Sequence, residues 1–194
     1  MEGLKGLEEQ IQGFSVESLR NNEAFVTTVM HATQVAIRTH HREKIEALKN
    51  AVLNAASGNS PDEDLQLIFL NLLERMTSWH LRLLLFFQDP EAYAEAKGKQ
   101  QEYDECHSRI MAHISSDKVL EDQQRAAHDL VAHVFPDLRD NRLFYTQVIK
   151  DLFDYGLISE DPLHLIRLVT YNRTTKMGDH LLVFISSPFA SVMV

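Results

Sequence analysis

From Phe25 to Ala55 a side chain of low polarity returns every three or four residues, through Val29, Thr33, Ile37, His41, Ile45, Leu48 and Val52. That is the period of one face of an α-helix. The pattern predicts one long amphipathic helix, or two nearly collinear ones. Asn21-Asn22 offers its start and Ser57-Gly58-Asn59 its stop, since Gly and Asn accept the left-handed conformation that closes helices. Ser60-Pro61-Asp62-Glu63 then sets an N-cap, a proline at the first helical position and an acid at the capping-box position in a row. The helix opened there is expected to run through Leu65, Ile68, Phe69, Leu72, Leu73, Met76, Leu83, Leu84 and Phe87. So wide a stripe belongs at the centre of a bundle.

Asp89-Pro90-Glu91 repeats the start chemistry for a more polar, outer helix reaching about Ile114. Ser115-Ser116-Asp117 can cap a further helix that turns Val119, Leu120, Ala127, Leu130, Val131 and Val134 inward and ends before Phe135-Pro136. Another is expected from about Asn141 to Tyr155, with Phe144, Val148, Ile149, Leu152 and Phe153 buried and Gly156 as its stop. The short connections favour antiparallel neighbours. Beyond Gly156 the character changes. Leu163 to Tyr171 is rich in β-branched and apolar residues, which predicts a short strand turning at Asn172-Arg173, and a threonine-capped helix follows over Leu181–Ile185.

Composition narrows the class. With 194 residues, 44% of them hydrophobic and 24% charged, the chain can bury a core of its own without staples. The single Cys106 excludes an internal disulfide framework and a cysteine-based zinc site, and a reducing, cytoplasmic setting is expected. The opening residues MEGLKGLEEQIQG lack the basic start and apolar stretch of a signal peptide. The most apolar window, Leu65 to Phe87, is interrupted by Glu74, Arg75, His80 and Arg82, each costly at a bilayer centre, so it reads as a core helix and no membrane partner is expected. A formal net charge of -9 disfavours non-specific binding to DNA or anionic lipid. The locally basic run Arg38 to Lys44 carries its own Glu43 and reads as a solvated helix face.

Ten histidines raise the question of a metal. Ligands on one helix face need spacings of three or four residues. His107 and His113, His128 and His133, and His40 and His41 all miss them. Asp104 with His107 and Asp129 with His133 have the spacing but equally suit a surface hydrogen bond. No metal, catalytic residue or cofactor is therefore assigned. Cys106 and His107 are adjacent and diverge by about 100° on a helix, so they make no catalytic pair. The glycines form no phosphate-cradling loop. One candidate pocket remains: Trp79 and His80 within the apolar central helix, with Asn50 and Asn54 one turn apart on the preceding one. His80 there is either a buried titratable group or a core histidine bonded across helices, and the two Asn residues either line a pocket or bridge the bundle. Bridging is the expectation.

Asp151-Leu152-Phe153-Asp154-Tyr155-Gly156-Leu157-Ile158, a strand-like segment, and Thr175-Lys176-Met177-Gly178 leading into Leu181 resemble the end of bacterial winged-helix domains. There a helix ends at "GLI", a wing follows, and a "T-x-x-G-x-x-L" helix closes the domain. The resemblance implies a DNA-binding element whose contacts would be Arg167, Arg173 and Lys176. A second set of residues, Glu43-Lys44 through Ala47–Asn54, then Asp62–Gln66 and Trp79-His80-Leu81, resembles a group of bacterial helical proteins of unknown function. That likeness implies a helical fold and carries no activity. Together these readings predict a mainly α protein: an antiparallel helical bundle over residues 1–136, a small C-terminal winged-helix-like element over 137–186 packed on it, and an apolar tail over 187–194. The expected function is a protein-interaction or regulatory module, with a protein partner or a second copy as a homodimer. The alternatives are a small helical enzyme with a pocket near Trp79 and His80, or a winged-helix DNA-binding regulator.

Charge decides against the last. From Asp137 to Ser186 six basic residues (Arg139, Arg142, Lys150, Arg167, Arg173, Lys176) face seven acids (Asp137, Asp140, Asp151, Asp154, Glu160, Asp161, Asp179). DNA affinity rests on phosphates neutralised by Lys or Arg, so no salt-dependent binding is expected. Fluorescence anisotropy with labelled duplex at two salt concentrations checks this. Tight binding that collapses with salt and with Arg167→Ala and Arg173→Ala would reverse the expectation.

Overall fold

A computed structural model describes residues 16–114, 120–160 and 165–188. After a 3-10 turn over Val16–Asn21, the helices in chain order are α1 (Glu23–Ile37), α2 (Arg42–Ser57), α3 (Glu63–Arg75), α4 (Ser78–Gln88), α5 (Pro90–Ala96), α6 (Gln100–Ile114), α7 (Leu120–Val134), α8 (Arg142–Asp154), α9 (Leu165–Thr170) and α10 (Lys176–Ile185). The mainly α class expected from the sequence holds. No helix among the described residues is long and apolar enough to cross a membrane. Two compact units form, Met1–Ser78 with His180–Val194 and Trp79–Asp179. The segment 1–136, expected as one bundle, is shared between them.

In the first unit the capping signals work as chemistry requires. Asn22 accepts the Phe25 N–H at 3.0 Å to open α1, and Gly58, at φ 76°, closes α2 in the left-handed region. The long helix expected over Phe25–Ala55 is broken at Arg38–His41, where Thr39 Oγ1 accepts the His41 N–H. Its halves pack side by side as a hairpin instead of running collinearly. The break also rotates the faces. Thr28, Ala32 and Val35 are buried on α1, while Thr33 and Ile37, which the periodicity aimed inward, are exposed. α3 packs on the same pair, and the contacts Thr28 to Gln66 and Arg38 to Glu74 make it parallel to α1.

The helix expected from Pro61 to Phe87 is likewise two. Asp62, not Ser60, caps α3 by accepting the Leu65 N–H at 3.1 Å. α3 ends at Arg75 because Met76 turns extended and buried, leaving carbonyls that a continuing helix would have bonded. Lys44 supplies their donor. Its Nζ gives hydrogen bonds of 2.8 Å to the Glu74 carbonyl and 2.8 Å to the Met76 carbonyl. The ammonium thus sits at the negative end of α3. Lys44, expected on a solvated face, is only 7% exposed. Burial lowers its pKa, and Glu74 acts in the opposite direction.

In the second unit Asp89 caps α5 through the Ala92 N–H at 2.9 Å, and Gly98 (φ 66°) splits the single helix expected over Pro90–Ile114 into α5 and α6. α6 turns Tyr103, Cys106 and Ile110 inward and packs on α7. α7 buries Ala127, Leu130, Val131 and Val134 as expected and ends before Phe135-Pro136. The caps proposed at Ser115–Asp117, and Val119, lie outside the described residues. On α8, Val148, Ile149 and Leu152 are buried as expected, but Phe144 and Phe153 are exposed and Tyr145 takes a core position instead.

The winged-helix-like element is not supported, since the described residues contain no strand. The predicted strand is helix α9, whose Leu165 and Val169 stand four residues apart, share a face and pack with α7. Among the described residues where a wing was expected there is a single antiparallel bridge, Ile158 to Thr174. The "GLI" and "T-x-x-G" residues do meet. Thr175 Oγ1 accepts the Gly178 N–H at 3.1 Å, and Thr175 N–H donates to the Leu157 carbonyl at 3.0 Å. A Cβ on Gly178 would come within 2.2 Å of that same carbonyl oxygen, so only glycine allows the approach.

Lys44→Met keeps much of the stem but leaves two carbonyls without their donor, so it should cost about 1 to 3 kcal/mol. Lys49→Met, on the exposed side of the same helix, should cost under about 0.5 kcal/mol. Urea unfolding followed by circular dichroism measures both. Equal losses would show that the Lys44 contacts do not hold the end of α3.

Candidate functional site

Asn50 and Asn54 belong to the first unit and His80 and Trp79 to the second. One turn apart on α2, the two carboxamides point at the end of α10. Asn50 Nδ2 donates to the Ile185 carbonyl at 3.0 Å, and Asn54 Nδ2 donates to those of Phe184 and Ser186 at 2.8 Å each. Those are the carbonyls a helix C-terminus leaves unpaired. The bridging role expected for this pair is what its geometry serves. Phe69 and Phe184 pack beside it with ring centroids 5.9 Å apart.

His80 is 4% exposed on α4, and its Nε2 lies 3.3 Å from Asp151 Oδ2 on α8. Gln147 Nε2 donates to the other carboxylate oxygen at 2.7 Å, and the Tyr155 ring stacks on the imidazole with centroids 6.3 Å apart. A carboxylate behind an imidazole fixes its orientation, which is the last two members of a nucleophile, base and orienter series. With the ring walled off from solvent, the arrangement serves to tie α4 to α8. Trp79 is half-buried. Its ring meets Phe135 edge to face at 5.9 Å, and the Arg82 guanidinium lies 4.8 Å over it. Phe86 and Tyr93 extend the cluster onto Phe135 at 5.4 Å each.

A third polar contact was not legible as such in the sequence. His128 of α7 and Tyr145 of α8 are hydrogen-bonded through Nδ1 and the phenol oxygen. Burial, reinforced by the charge of Arg142 and opposed by Asp129, holds the His128 pKa down to about 4. Burial likewise pushes the Tyr145 phenol up to about 12, with Arg142 acting against it. The signal lay in phase. His128 stands beside the apolar row Ala127, Leu130 and Val131, and Tyr145 stands three and four residues before Val148 and Ile149.

The other candidates resolve singly. Cys106 is buried, and its Sγ accepts from Arg109 Nη2 at 3.1 Å, while His107 turns away to stack on Tyr103 with centroids 5.5 Å apart. His133 Nδ1 lies 2.6 Å from the Asp129 backbone carbonyl rather than its carboxylate. Among the described residues no three His, Cys, Asp or Glu side chains are grouped to hold a metal ion. Arg167 pairs with Glu160 at 3.4 Å, the Arg173 guanidinium lies 5.3 Å over Tyr171, and Lys176 opens α10. The wing that was to carry them is replaced by α9 and the bridge.

One face of α1 is apolar and lies outside, and it includes Thr33 and Ile37, which the sequence placed in the core. Val26, Met30 and Ile37 are 39%, 59% and 80% exposed, and Thr33 between them is exposed as well. The spacings of four, three and four residues make a single row. No family model, curated protein or solved structure matches the chain with significance.

The folded His128 pKa lies below the ordinary value near 6.5, so the unfolded chain binds its proton first as pH falls. This group's stability contribution is present above about pH 6.5 and is lost as pH drops towards 4. Allowing for a ring that water partly screens, the loss should be roughly 1 to 2 kcal/mol. Thermal unfolding of wild type and His128→Gln at several pH values tests this. The wild type should lose stability more steeply between pH 6.5 and 4, and parallel curves would refute the assignment.

Proposed function

We propose that this protein is a non-enzymatic, cytosolic interaction or regulatory module that meets its protein partner through the exposed face of α1. The row Val26, Met30, Thr33 and Ile37 carries this reading. Single exposed apolar residues are ordinary on any protein, whereas a continuous row along a helix marks a surface that another molecule covers. α1 is apolar on both sides, with Thr28, Ala32 and Val35 already used within its own unit. A helix of that kind is normally enclosed on all sides. Glu23 is its only formally charged residue, so the face offers no hold for nucleic acid or an anionic lipid surface.

The buried polar groups support the same reading. Lys44, Asn54 and the Thr28 to Gln66 pair are occupied in holding helix ends and helix faces together. The test is a photo-crosslinking side chain placed at position 30, with the exposed Lys49 position on α2 as control. Position 30 should form adducts with protein in a native extract, identifiable by mass, and position 49 should not. Absence of adducts at position 30, or equal adducts at both, would overturn the reading.

A further inference from the structure

We propose that the occupant of the α1 face is a second copy of this chain, with the two α1 helices paired antiparallel about a two-fold axis at Met30. This rests on the reading of that face as an interaction surface. Met30 is the midpoint of Glu23–Ile37 and belongs to the exposed row. In an isologous contact each residue meets its mirror position, so self-pairing about this point sets Met30 against Met30 and Thr27 against Thr33. Val26 meets Gln34, and Glu23 falls beside Ile37 and the adjoining Arg38. All of the positions from Val26 to Ile37 on this face are uncharged, and the two ends carry opposite signs.

Charge complementarity selects both the partner and the direction. An antiparallel pair brings Glu23 of each copy to Arg38 of the other, whereas a parallel pair would set Glu23 against Glu23 and Arg38 against Arg38. Antiparallel pairing also opposes the two helix dipoles favourably. Arg38, whose side chain is 71% exposed, can meet Glu23 of the other copy while keeping its ion pair with Glu74. The uncharged middle lets two chains of net charge -9 approach along the strip where neither presents a carboxylate. One helix pair buries less than the roughly 1,200 Å² of a standard stable interface, so the dimer is weak and depends on concentration.

Sedimentation of the full chain from micromolar to millimolar concentration is the direct test. Wild type should pass from monomer to dimer across that range. Met30→Glu and Met30→Lys, each placing like charges together on the axis, should each raise the dissociation constant by at least about tenfold. Mixing the two variants should restore a one-to-one dimer, because the axis then carries opposite charges. Circular dichroism melts confirm that both variants fold, as expected for an exposed position. A wild type that stays monomeric, variants that dimerise as well as it does, or a mixture that fails to associate would each overturn the proposal. Self-association is distinguishable from the broader reading. If wild type stays monomeric while position 30 still crosslinks to another protein, only the second-copy proposal falls, and if position 30 crosslinks to nothing, both fall.

Discussion

A buried ammonium needs oxygen acceptors around it, and Lys44 finds them in two backbone carbonyls that an unbroken helix would have kept for itself. The pairing fixes three things together. It ends α3 at Arg75, it holds the first turn of α2 against that end, and it allows Met76 to turn inward as a core residue. Two residues further on the first compact unit gives way to the second. Without a cation at this place, the apolar run from Leu65 to Phe87 has every local reason to continue as one helix. The break is therefore a tertiary choice, made by a residue some thirty positions upstream.

The same economy recurs at other helix ends. Asn50 and Asn54 serve the last carbonyls of α10 as Lys44 serves those of α3, so α2 supplies the polar groups that close two different helices. In the second unit α8 is held from two sides by histidines. His128 reaches Tyr145 in its first half and His80 reaches Asp151 in its second. Both rings lie in surroundings that favour their use as fixed hydrogen-bonding groups, and the depressed pKa of His128 keeps that contact uncharged at neutral pH. Polar side chains spent in this way specify how helices meet, which apolar packing alone leaves degenerate.

Function follows from what these contacts leave over. With Lys44, Asn54, His80 and His128 committed to structure, the outer row of α1 presents core chemistry in a surface position. Its uncharged middle and oppositely charged ends are the grounds on which a copy of itself is proposed as its occupant.

Local chemistry made much of the helix boundary pattern legible. Asn22, Gly58, Asp89, Gly156 and Thr175 act as the stops and starts their residue types announce, because a cap is a bargain between a side chain and backbone groups three or four residues away. The core positions Leu130, Val131 and Val134 of α7 were readable from their helical spacing. Long-range contacts decided the rest. No periodicity shows that Lys44 is buried, that Thr33 and Ile37 turn outward after the break at Arg38–His41, or that Leu165 to Thr170, β-branched and apolar, winds into a helix on α7. A strand needs a partner strand to satisfy its backbone, and none is present among the described residues, whereas a helix satisfies most of its own and needs only one face to bury. Sequence set the inventory of caps and apolar rows; which row faces inward was settled only when distant residues met.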